Sequence, residues 1–205
     1  MNQEMMMTVL DKAYEAAVNG LPGISSAIEL GDEYLVNNNY NKVKAVDSLI
    51  NWQIAKCGTS GFLSGLGGLI TLPVAIPANI TSVIYVQIRM IAAIAHISGQ
   101  DIKDDKVKSL VYMCLCGNAA KDIAKIAGIQ LGKKLTANMI KKISGATLTK
   151  INQKVGFKLI TKFGEKGIVN LGKMIPLVGG IVGAGFDVAS TSIIANVAKT
   201  TFITD

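Results

Sequence analysis

The chain contains one arginine and one histidine, Arg89 and His96, against twenty lysines. On a helix advancing 100° per residue, Ser82, Tyr85, Arg89 and His96 fall within about 60° of one another and form a narrow polar stripe on an apolar cylinder. In a chain that uses lysine everywhere else, an always-charged planar fork points to bidentate hydrogen bonding that an ammonium does not reproduce. The expected partner is Asp187, the only acid between Glu165 and Asp205. Its helix face, Gly180, Gly183, Ala184, Asp187 and Thr191, is small and polar, which permits close approach of two backbones and an interior ion pair. The bland alternative is a stripe that touches water at the end of a bundle.

No set of residues completes a catalytic pattern. The segment "GIVNLGKM", 167–174, satisfies the G-x-x-x-x-G-K part of a phosphate loop, but Met174 stands where a Ser or Thr would hold magnesium and no strand precedes it. "GLGGL" lacks the strand and spacing of a dinucleotide site, and Ser60 in "GTSGF" is not in a nucleophile elbow. One histidine rules out a His-rich metal signature, and Cys114 and Cys116, two apart, lie on different faces of a helix, so neither metal nor cofactor is expected. Asp122 and Glu165 are isolated acids in a basic region and read as ion-pair partners. The preferred reading is non-enzymatic, with no catalytic residue assigned. The alternative is a hydrolase acting on a lipid or peptide, with a pocket near Arg89, His96 and Asp187.

A second kind of chemistry is electrostatic. Residues 106–173 hold fourteen lysines against Asp122 and Glu165, whereas residues 1–60 hold four against seven acids. In "KINQKVGFKLITKFGEK" Lys150, Lys154, Lys158, Lys162 and Lys166 recur every four residues, with Ile151, Val155, Leu159, Ile160 and Phe163 on an apolar side. Such a ridge, preceded by Lys133, Lys134, Lys141 and Lys142, suits an anionic membrane surface at about 1 kcal/mol per lysine. The competing reading is a solvated helix face with no ligand. Nucleic acid ranks well below lipid, because arginine for base reading and aromatics for stacking are scarce.

The elements that must position these groups are helices. Met6, Val9, Leu10, Ala13 and Ala17 mark the inner face of a first helix that Asn19-Gly20 ends. Ser26 with Glu29 is a capping-box pattern, a helix runs from about Lys42 to Cys57, and Asp104 or Asp105 caps one beginning near Lys106. Gly128, Ser144-Gly145 and Pro176 punctuate the remainder. Between 58 and 99 the one charged side chain is Arg89. Pro73 and Pro77 divide this run into a glycine-rich segment, 58–72, and a helix of membrane-spanning length, about 78–98. The spacing predicts one all-α domain over residues 1–205, compact, with eight to ten helices and a Gly/Pro-interrupted apolar hairpin in its core. Half the residues are apolar, 17% are charged, and mean hydropathy is +0.40, oily for a cytosolic protein and modest for a polytopic membrane protein. An acidic N-terminus without a signal pattern and three thiols in apolar surroundings suit a reducing cytoplasm. The cost of an arginine in mid-bilayer favours soluble or peripheral folding over a spanning hairpin. A pore-forming module that releases its glycine-rich segments into lipid is a lesser third reading.

Taken together, "WQIAKCGTSGFLSGLGGLITLPVAIPANI", "YVQIRMIAAIAHISGQDIKDDKV", "GNAAKDIAK", "INQKVGFKLITKFGEKGIVNLGKMIPLVGG" and Asp187 resemble the EcsC family of bacterial proteins over about residues 20–195. The resemblance implies a bacterial, cytoplasmic, mostly helical protein; the lysine ridge adds the expectation of a peripheral location at the inner face of the membrane. The family is named for a gene encoded beside the subunits of an ABC transporter, which makes a membrane protein of that kind an expected partner, although many relatives occur elsewhere. It implies no catalytic residue. The family pattern shares Trp52, Lys56, Arg89, Asp122, Glu165, Lys173 and Asp187 with this chain. With Tyr85 and His96 of the polar stripe, these are the candidates for an internal polar network or pocket.

Overall fold

A computed structural model describes residues 2–57, 78–132, 135–163 and 181–203, giving the backbone alone for 57, 78–80 and 181–187. The described residues form nine α-helices and no strand: α1 (Gln3–Asn19), α2 (Ala27–Asn37), α3 (Lys42–Cys57), α4 (Ala78–Ser98), α5 (Asp105–Leu115), α6 (Ala120–Ile126), α7 (Ala137–Lys141), α8 (Gly145–Phe163) and α9 (Ile181–Phe202). A 3-10 turn, Gly117–Ala119, joins α5 to α6. The single all-α domain expected from the spacing is the fold observed.

Local chemistry fixes the helix ends. Asn2 caps α1 by accepting from the Met5 amide, and Gly20, at φ 82°, ends it by donating to the Ala16 carbonyl. At α2 the capping box is complete: the Glu29 amide donates to Ser26 Oγ at 3.1 Å and the Ser26 amide donates to Glu29 Oε2 at 2.7 Å. Asp104 caps α5 through the Lys106 amide. The anticipated inner face of α1, Met6, Val9, Leu10, Ala13 and Ala17, is wholly buried.

These helices surround α4. It packs against α1, α2, α3, α5 and α9. The 18-residue window Thr81–Ser98, with mean hydropathy 1.3, is long and apolar enough to cross a membrane, yet 83% of it is buried inside the protein. From Ile84 to Ala95 every apolar side chain is at most 3% exposed. Each buried isoleucine in this run contributes on the order of 2 kcal/mol through removal from water, so the helix spends its oiliness on its own neighbours. The polar stripe is buried over most of its length, Ser82 and Tyr85 being each 1% exposed and Arg89 6%, and reaches the surface at His96, whose side chain is 26% exposed.

The crossing of α2 over α4 is close because Gly31 has no side chain. A Cβ there would lie 2.8 Å from His96 Cδ2 and 3.3 Å from the Ala93 carbonyl oxygen. The glycine-rich segment 58–72, Pro73, Pro77, Pro176 and the 167–174 stretch lie outside the described residues. In chemical denaturation, Gly31→Ala is expected to cost about 1–2 kcal/mol by forcing the two helices apart. Gly145→Ala, where a Cβ meets open space, is expected to stabilise by about 0.5 kcal/mol by restricting the unfolded chain.

Candidate functional site

The stripe on α4 meets α2 and the turn before it. Arg89 Nε donates to the Ser25 carbonyl oxygen at 2.7 Å, and one Nη donates to Ser25 Oγ at 2.6 Å. The fork is therefore used as a fork, on a serine that no sequence pattern singled out, two residues before α2 begins. Two turns further along α4, His96 Nε2 and Asp32 Oδ1 are 2.7 Å apart. The two contacts share a separation of 64 residues, so α2 and α4 run side by side in the same direction with matched rise.

Burial dominates the electrostatics. It lowers the affinity of the Arg89 guanidinium for its proton, against the pull of the Tyr85 and Tyr34 rings and of Glu33 and Glu29. Glu29 and Glu33 are exposed and act from beyond ion-pair distance. The Glu29 carboxyl is held below its ordinary range, chiefly by the Ser26 amide and then by the Ser26 hydroxyl. Its capping contribution is thus present above the ordinary carboxylate pKa and fades as pH falls through the lowered one. Burial raises the Tyr85 hydroxyl, one turn before Arg89. That hydroxyl and both amide atoms of Gln53 are buried without a hydrogen-bond partner among the described residues. Gln87, also buried, donates to Thr191 on α9 at 3.4 Å.

Arg89 and His96 thus both meet the α2 side of α4, two turns apart, and Tyr85 lies one turn before Arg89. The other candidates for an internal network are not with them. Trp52 and Lys56 sit at the end of α3, the ammonium 3.9 Å from the indole centroid and the ring 37% exposed. Asp122 is exposed on α6. Glu165, Lys173 and the Asp187 side chain lie outside the described residues, and with them the expected Arg89–Asp187 pair. Among the described residues no group of three His, Cys, Asp or Glu side chains could hold a metal. Burial pushes the Cys114 and Cys116 thiols up to about 12, which removes them as nucleophiles at neutral pH.

The lysine ridge divides. Lys150, Lys154 and Lys158 are exposed on α8, while Ile151, Val155 and Leu159 are buried against α1 and α5. A row spaced by four drifts about 40° per step on a 3.6-residue helix, so by the third step it has turned about 120°. Lys162 is accordingly half-buried, 3.1 Å from Ser190 Oγ on α9 and 5.0 Å from the Phe163 ring. Lys166 lies outside the described residues, as do Lys133 and Lys134. The spacing did not expose one feature: Phe157, 63% exposed, lies within about 20° of Lys150 on the outward arc. Beside it an open depression of about 640 Å³ is lined by Gln3, Glu4, Gln153 and Lys154.

Residues 32–203 match the family model of the EcsC protein family. No curated protein and no solved structure matches the chain. The matched span contains Arg89, His96 and the whole of α8, whereas Ser25 and the α2 cap precede it.

Removing the acceptor of one charged hydrogen bond is expected to be costly even at a partly wet position. Ser25→Ala should lower unfolding free energy by about 1.5 kcal/mol, the lower end of the range for bonds to charged groups. Ser25→Thr, which keeps the hydroxyl, should recover most of that loss in the same denaturant melts.

Proposed function

The chain belongs to the EcsC protein family, and on that premise we propose that it is a non-enzymatic protein that docks peripherally on the anionic cytoplasmic face of the bacterial membrane. The observation that carries this reading is the outward face of α8. Lys150, Lys154 and Lys158 share an exposed arc there with Phe157 at its edge, while the apolar side of the same helix is committed to the core. An interfacial helix ordinarily lays its apolar face into the headgroup boundary. Here that face is occupied by α1 and α5, so attraction comes from charge, and Phe157 is the one aromatic on that arc able to reach past the headgroups.

Charge is also polarised along the chain. Glu29, Asp32 and Glu33 are exposed on α2, which packs on α1, α3 and α4 and makes no substantial contact with α8. An anionic surface would repel that side and attract the other, giving one preferred orientation. The buried position of α4 supports a peripheral over a spanning mode. A membrane protein, such as an ABC transporter subunit, is the other surface that this basic face would suit.

Sedimentation with vesicles tests the reading. Binding is expected to vesicles containing phosphatidylglycerol, to fall as salt is raised, and to be absent with phosphatidylcholine alone. Replacing Lys150, Lys154 and Lys158 together by Gln should weaken binding about 100-fold, at about 1 kcal/mol per lysine. Phe157→Ala should weaken it about fivefold, with little change in salt dependence. Equal binding to both vesicle types, or none to either, would contradict the proposal.

A further inference from the structure

A second depression, of about 350 Å³, opens where the segment after α6, α7 and the start of α8 meet. Its lining has two chemistries. Ile129, Leu135, Met139 and Ile143 supply apolar surface, and Met139 leaves 44% of itself to water, a cost that an apolar occupant removes. Lys142, Ser144 and Thr147 supply a polar part from the turn between α7 and α8. The volume lies at the lower end of the range for small-molecule sites, about 300–1,000 Å³, which are mostly apolar with a few placed polar groups.

Charge selects the occupant. Lys142 is the one charged residue in the described lining, and from Lys121 to Lys158 nine lysines stand against Asp122. Ser144 precedes α8, whose 19 residues direct a positive dipole end to the same place. The acids of the neighbouring loop, which Gln100 ties to the Leu135 carbonyl, are engaged elsewhere: Asp101 accepts from the Lys103 amide, Asp104 from the Lys106 amide, and both act with Asp105 on the Tyr14 hydroxyl of α1. On the α8 wheel Thr147 lies within about 20° of Lys154 and Lys158, and about 10 Å before Lys154, so the groove continues the basic face at its amino end. We propose that this groove receives one acyl chain of an anionic phospholipid, with the lipid phosphate against Lys142, Ser144 and Thr147. The choice of a membrane lipid rests on the docking proposal; the chain leaves the bilayer for the groove, so the domain stays peripheral. An ammonium and two hydroxyls suit phosphate oxygens, and room for roughly ten water-sized groups suits a chain of about eight carbons.

Octyl phosphate, kept below its micelle concentration, is the probe, and the readout is the Met139 methyl resonance of the full chain, labelled at its methionine methyls and assigned with Met139→Leu. The resonance is expected to shift saturably with octyl phosphate and to stay in place with inorganic phosphate. Hexyl phosphate should bind about tenfold more weakly, since two fewer methylenes leave water. Lys142→Gln should weaken octyl phosphate about fivefold. Replacing Lys154 and Lys158 together by Gln should change it less than about twofold in physiological salt, both being more than a Debye length of about 8 Å along α8 from Thr147. No shift of Met139, equal affinity for the hexyl and octyl compounds, or loss of binding in the double variant would each overturn the proposal, the last by assigning the probe to the arc of α8. Sedimentation with phosphatidylglycerol vesicles but no octyl phosphate binding would overturn the groove alone. Octyl phosphate binding without sedimentation would overturn the docking proposal and leave the groove as an acyl-chain site.

Discussion

A guanidinium inside an apolar helix is tolerable only if protein surrounds it, and this requirement organises the fold. α4 is apolar over membrane-spanning length, yet α1, α2, α3, α5 and α9 cover it. The coverage converts a run that lipid could solvate into the centre of a helical domain, with the hydrophobic gain of each buried residue going to helix–helix contacts. Arg89 then needs polar partners within that shell. The turn before α2 supplies them at Ser25, and Gly31 lets α2 come close enough for the contact to close.

Much of this architecture was legible because local rules and global packing agree. The capping box at Ser26, the Asp104 cap and the Gly20 stop each satisfy backbone groups within a few residues, so short-range spacing is enough to find them. The inner face of α1 follows from period alone. Of the candidate site, the wheel places Arg89 and His96 on one side of α4, but it does not name what each of them meets. Ser25 is a lone serine before a cap, and nothing in its neighbourhood distinguishes it from Ser26. Asp32 looked like any surface acid until the register of α2 against α4 brought it to His96.

The lysine row shows a different limit. Four-residue spacing was read as one ridge, but the 3.6-residue turn carries the row around the helix, so Lys162 ends on the α9 side. Phe157 faces outward beside Lys150, a placement that depends on which side of α8 the core occupies. Periodicity alone does not say whether an amphipathic helix lays its apolar side on lipid or on protein. Contacts with α1 and α5 decide it for Ile151, Val155 and Leu159. The consequence is a basic surface with a single aromatic, whose attraction to anions is screened by salt.

The central claim is that α4 is an internal helix and that the domain meets the membrane only from outside. Cells expressing the full chain, broken and separated into soluble, salt-washable and detergent-extractable pools, test it most directly. The account predicts recovery in the first two pools, with high salt moving protein from membrane to supernatant; retention until detergent is added would contradict it.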